Sequence, residues 1–216
     1  MRLLKNEKKV HDLANSVAVS LKSELNIKGF VGSVIGVIID RLNINLMFVH
    51  IDDSKAKGFS AEVRNYQHIY INKNEYIRTQ VFTIAHEIYH LLDKEVYEES
   101  LSADERAADH FAACFLLPED EVIDFYHYEK KRRTDLEILY MISDISYTPY
   151  ETVYRRFKEL SLATRIIDKE LKEWHDNFKS SLNTEDIFVK IRNEKFGESI
   201  LDNTSWNKKN LVSLIS

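Results

Sequence analysis

Two imidazoles four positions apart, with a carboxylate beside the first, stand in the run His86-Glu87-Ile88-Tyr89-His90. On a helix, positions i and i+4 share one face with Cβ atoms about 5–6 Å apart, so both rings can hold a single Zn²⁺ at ~2.0–2.1 Å. Glu87 is turned by about 100° around the axis and can address a water at the same ion. Zinc polarises a scissile carbonyl and brings the pKa of such a water to about 7, so the chemistry is amide hydrolysis at neutral pH. Glu87 would take the proton and return it to the leaving amine. The plainer alternative is a pair of surface histidines with a helix glutamate between them.

A catalytic zinc needs a third protein ligand and one open position. Glu105 and Asp109 are themselves i and i+4, on a segment whose Ala108 and Ala112 permit close helix packing. Glu105 would complete the ligand set His86, His90 and Glu105. Asp109 would accept the other ring N–H of a liganding histidine and fix its tautomer. Ser102-Ala103-Asp104-Glu105 also reads as a capping box, which would employ Glu105 as a helix cap instead. Glu95, Glu98, Glu99 and His110 are rival third ligands. The longer metzincin pattern is excluded, because Asp93 stands where its glycine would be and Val96 where its third histidine would be. Developing charge on the substrate calls for a further donor, and Tyr89, His110, Tyr126 and His127 are the candidates.

The elements that must position these groups follow from hydrophobic periodicity, since five glycines and two prolines mark no linker. Val10 through Leu25 and Val31 through Leu42 keep helical spacing, broken near Lys28-Gly29. Residues 44–49, 58–63 and 66–71 read as strands of a small antiparallel sheet. In that sheet Tyr66 to Asn72 is expected to be an edge strand, offering Tyr70, Ile71 and Asn72 to an extended substrate. His50 and His68 on these strands read as packed or exposed side chains, not ligands. Ile77 to Leu92 is one amphipathic helix with an apolar stripe opposite the His-Glu-His face, and a second helix starts at Ser102 and stops before Pro118. Asp135 to Ile142 and Pro149 to Leu160 form a helix pair. Ile167, Leu171, Trp174, Phe178 and Leu182 continue a helical stripe, expected to pack as ordinary core or to cover the cleft.

Composition bounds the function. The chain has 216 residues, 44% of them apolar, which suffices for a packed core. Thirty Lys and Arg against thirty-five Asp and Glu leave a net charge of −5, without the global positive field of a non-specific nucleic-acid binder. The basic run Lys130-Lys131-Arg132-Arg133 ahead of the helix pair is the one feature resembling a DNA-binding element, and a solvated charged face explains it as well. Direct DNA contact is not expected. Cys114 is the lone cysteine, which argues for a reducing compartment, and the cytoplasm is the expected location. No signal peptide or membrane span is expected, the longest uncharged stretch being Gly29 to Ile39.

The segments Phe82-Thr83-Ile84-Ala85-His86-Glu87-Ile88-Tyr89-His90 and Glu105-Arg106-Ala107-Ala108-Asp109 through Leu117-Pro118 resemble the ImmA/IrrE family of metallo-endopeptidases. The likeness is close from Ile69 to Pro118 and looser from Val10 to Leu162. It implies an α+β, zincin-like fold, zinc held by His86, His90 and Glu105, and Glu87 as acid/base. Asp109 occupies a position where the family commonly has Asn, and Tyr89 one where a small residue is usual. The organisation expected is a metallopeptidase core over residues 1–118, a helical subdomain with a helix-turn-helix-like pair over 119–164, and a helical extension over 165–216. The resemblance further implies a protein substrate, a helix-turn-helix repressor of a mobile element, phage or stress regulon. The competing reading is a regulatory or toxin/antitoxin-type module that holds zinc and binds a repressor without cutting it.

Overall fold

A computed structural model describes residues 2–53, 56–92, 101–177 and 182–205. The fold is α+β. Helices α1 (Arg2–Glu24) and α2 (Ile35–Arg41) precede strands β1 (Asn45–Val49), β2 (Gly58–Val63) and β3 (Tyr66–Asn72). Helices α3 (Ile77–Leu91), α4 (Leu101–Leu116), α5 (Glu119–Glu129), α6 (Asp135–Ser146), α7 (Tyr150–Glu159), α8 (Arg165–Asn177) and α9 (Thr184–Lys195) follow, with a short 3₁₀ turn at Ile200–Asn203. The sheet covers one side of α3, α4 packs on another, and α1 lies along α4. Among the described residues no helix is long and apolar enough to cross a membrane.

The three strands lie in the order β1-β3-β2, and the sheet is mixed, not antiparallel as expected. β2 and β3 form an antiparallel hairpin through Arg64 and Asn65, both at positive φ (53° and 64°), as a two-residue hairpin turn requires. β1 pairs in parallel with the far side of β3, Leu46 opposite Ile69 and Phe48 opposite Ile71. Alternation in a sequence fixes which face a side chain takes, and leaves strand direction open. The strand order corrects the expected substrate edge. β3 is paired on both sides, so Tyr70, Ile71 and Asn72 offer no unpaired backbone, and the edge strand beside α3 is β2.

Helix α3 departs from a one-striped amphipathic helix. Ile77, Val81, Ile84, Ala85 and Ile88 are buried as expected, but so are Arg78, Gln80, Thr83, Glu87 and Tyr89. The sheet and α4 enclose it from two directions, so its polar face lies within the molecule. Gly58 permits that enclosure on the sheet side: a Cβ there would stand 2.7 Å from both the Thr83 methyl and the Tyr70 carbonyl oxygen. The start of α3 is anchored by Arg78, which donates to the Ser143 carbonyl (2.6 Å), to Asp202 (3.1 Å) and to Asp144. Burial opposes ionisation of Asp144, but Arg192 and Arg78 outweigh it and hold the carboxyl below its usual range. The residues around Ser199 to Asp202 thereby fasten to α3.

Two helices escaped the periodicity. α5 begins after Pro118, with Glu119, Asp120 and Glu121 in its first turn, where negative charge favours the helix dipole. α9 is capped by Asn183, whose side chain accepts from the Asp186 N–H, and buries Ile187, Phe188 and Ile191. α6 carries the full capping box of Thr134 and Glu137. Ile138, Val153 and Phe157 of the α6/α7 pair are fully buried. Lys130 pairs with Asp135, Arg133 with Glu129 and Arg155 with Glu151. α8 and α9 pack on each other and on α6 and α7, so over its described residues the C-terminal part joins the core instead of covering the cleft. Phe178 lies outside the described residues.

Candidate metal centre

One turn of α3 separates His86 from His90, and both rings turn towards α4 with their Nε2 atoms 3.2 Å apart. Glu105 projects from the second turn of α4 into the same space, its carboxylate oxygens 3.4 Å from His86 Nε2 and 3.5 Å from His90 Nε2. Ligands at ~2.0–2.1 Å on a tetrahedral ion stand roughly 3.4 Å from one another. The three separations therefore match a zinc site.

Each imidazole has its other nitrogen engaged by an acid of α4. His86 Nδ1 donates to Asp109 (2.9 Å) and His90 Nδ1 to Asp104 (3.0 Å). With Nδ1–H committed in both rings, each Nε2 presents a lone pair. In their neutral form the two rings turn lone pairs into the space that the Glu105 carboxylate also enters, a donor set that a cation can satisfy. Burial works against protonation of His86, but Asp109, Glu87 and Glu105 outweigh it and raise its pKa. The donor set thus fits a divalent, borderline-soft ion such as zinc.

Glu87 is 7% exposed, and one of its carboxylate oxygens accepts a hydrogen bond from Ser60 Oγ of β2 at 2.8 Å. Nothing in the sequence pattern pointed to Ser60, which is distant along the chain and becomes a neighbour only because β2 packs on α3. Asp104 was likewise read only as part of a capping box. In the structure Ser102 lies within α4 and Glu105 turns to the imidazoles.

An open cleft of about 860 Å³ lies over these groups, lined by β2 from Gly58 to Glu62, by Gln67, by His86, Glu87, His90, Leu91 and Leu92 of α3, and by Asp104 and Glu105. The described lining carries four carboxylates and no lysine or arginine.

The four candidates for stabilising charge on the substrate do not line this cleft. Tyr89 is 3% exposed and packs on Phe111, ring centroids 5.5 Å apart, so its bulk fills the α3/α4 interface and not the cleft. Tyr126 is buried and donates to Asp135 at 2.6 Å. His127 is exposed on α5. His110 faces α1 and α7, one residue past Asp109 and about 100° further around α4. Burial lowers its pKa, with His11 adding to the effect. Of the rival third ligands, Glu95, Glu98 and Glu99 lie outside the described residues, as do Asp93 and Val96. His50 pairs with Asp52 and Asn74, and His68 packs beside Tyr70 on the sheet.

The carboxylates behind the imidazoles should matter to the metal more than to the fold. Replacing Asp104 or Asp109 by alanine is expected to weaken zinc binding by about 10–100-fold, the usual consequence of losing a partner that orients a ligand. Competition titration against a zinc chelator, with helix content followed by circular dichroism, reads both quantities. Unchanged zinc affinity in both variants would make the two acids ordinary surface groups.

The sequence profile of the family described as Peptidase M78, IrrE N-terminal-like domain, matches residues 39–160, more than half of the chain. No curated protein matches. A solved structure described as a Mycobacterium tuberculosis transcriptional regulator is 18% identical, with a TM-score of 0.47, over 70% of this chain and 51% of that one. The chain thus spans about half the length of that relative.

Proposed function

The chain belongs to the Peptidase M78 family, that of the IrrE N-terminal-like domain, a family of protease-like domains, and from that premise we propose that it is a zinc-dependent endopeptidase. The observation that carries the proposal is the convergence of His86, His90 and Glu105 within 3.2–3.5 Å of one another, each imidazole held from behind by a carboxylate. When bound, zinc would supply Lewis acidity, polarising a carbonyl and bringing the pKa of a water to about 7.

The chain's own residues do the rest. Ser60 holds one oxygen of Glu87, leaving the other to take the proton of an attacking water and return it to the amine of the broken bond. Being nearly buried, Glu87 keeps that orientation before substrate arrives. β2 lines the cleft and has its outer edge unpaired by β1 or β3, so an extended peptide adding to it would lie across the imidazoles. Glu62 and Asp104, which are not zinc ligands, make the cleft acidic and favour basic side chains near the cut bond.

The substrate we propose is a helix-turn-helix repressor. Family membership supports it, and the basic segments by which such proteins contact DNA suit an acidic cleft. Incubating the zinc-loaded chain with a peptide library and with purified helix-turn-helix repressors, and mapping new termini by mass spectrometry, tests both levels. Internal, chelator-sensitive cuts enriched next to Lys or Arg are expected. Their absence from library and repressors alike contradicts endopeptidase activity, while cuts in the library alone contradict only the repressor assignment.

A further inference from the structure

We propose that His11, His110 and Glu159 form a second zinc site, joining α1, α4 and α7 on the side of α4 away from the cleft. His11 and His110 meet edge to face with ring centroids 4.5 Å apart. One oxygen of Glu159 lies 3.7 Å from His11 Nε2 and the other 3.8 Å from His110 Nδ1. One donor atom from each residue falls within 4.8 Å of the other two. The two imidazole–carboxylate distances exceed the roughly 3.4 Å expected between ligands of tetrahedral zinc by only a few tenths of an ångström, within the reach of side-chain rotation.

Neither imidazole–carboxylate separation is a hydrogen-bond length, so the three groups face one another without being satisfied by one another. The carboxylate is instead held from behind: Arg156, 2% exposed, donates to one oxygen of Glu159 at 3.0 Å and to the Leu117 carbonyl at 3.1 Å. Arg156 therefore orients Glu159 as Asp104 and Asp109 orient the imidazoles of the first centre, although its charge opposes a second cation. The new site is accordingly the weaker of the two. The ligand chemistry, two imidazoles and one carboxylate, suits zinc or a neighbouring first-row divalent ion.

An ion here clamps three helices that are far apart in sequence. α4 is the shared member, and His110 follows directly on Asp109, so occupancy braces the helix that carries Glu105. It would contribute stability, and steady the first centre, without touching substrate.

Zinc added stepwise to the full chain as its chloride salt, with bound ions counted by native mass spectrometry, tests the proposal. His11→Ala is expected to bind one ion fewer than the natural chain, and His86→Ala/His90→Ala to bind one ion that disappears when His11→Ala is added. The difference caused by His11→Ala carries the result, so it stands even if the first centre holds no metal. An unchanged count in His11→Ala, confirmed by an unchanged count in Glu159→Gln, overturns the site. Zinc should also raise the thermal midpoint of the His86→Ala/His90→Ala variant, and no rise there would equally contradict the clamp.

Discussion

Glu87→Gln is expected to retain zinc and to lose cleavage by about 10²–10⁴-fold, the usual worth of a general acid/base. The substitution preserves shape, and the new side chain keeps an oxygen to accept the Ser60 hydroxyl, so neither α3 nor its contact with β2 should change. What it removes is the ability to take a proton. Glu87 is not among the three groups that surround the metal position, so zinc content should stay as in the natural chain. Turnover on a cleaved peptide, paired with zinc analysis of the same sample, separates the two effects. Full activity in the variant would remove Glu87 from the reaction. Loss of zinc along with activity would place it among the ligands.

Glu105→Gln is expected to act in the opposite way, on the metal first. It removes the carboxylate from a site whose other two ligands are imidazoles, and should weaken zinc by more than the ~10–100-fold that an orienting partner is worth. The Glu105 side chain is 54% exposed, and among the described residues its contacts are with His86 and His90, so the fold should be unaffected. Competition titration should therefore fall steeply while the unfolding midpoint of the metal-free protein stays where it was. Equal zinc affinity in the variant and the natural chain would show that the third ligand is another group.

The contrast between these two glutamates marks what a sequence can convey. His86, Glu87 and His90 were legible because a helix converts spacing directly into direction, and Asp109 was legible for the same reason, one turn beyond Glu105. Asp104 was obscured by a local pattern: next to Ser102 it reads as part of a cap, whereas Ser102 lies within α4. Ser60 carries no such signal, because its place beside Glu87 depends on the packing of β2 over α3, which Gly58 permits.

The errors have the same origin. Tyr70, Ile71 and Asn72 sit on a strand that the sequence identifies well, but strand order is a long-range property, and β1 takes the edge that β3 was expected to expose. Tyr89 and His110 stand beside the ligands in the chain, whereas helix rotation sends one into the packing with Phe111 and the other towards His11. α5 had its Pro118 start and acidic first turn in plain view, yet among its residues only Val122 and Tyr126 are buried, too few to print a period.

Zinc-edge anomalous scattering from a crystal grown with zinc would bear most directly on the central claim. A peak bonded to His86 Nε2, His90 Nε2 and a carboxylate oxygen of Glu105, each at ~2.0–2.2 Å and with one position left open, is the expected result. A map with no peak between these three residues, or with Glu105 turned away from an ion held by the two histidines, would contradict it.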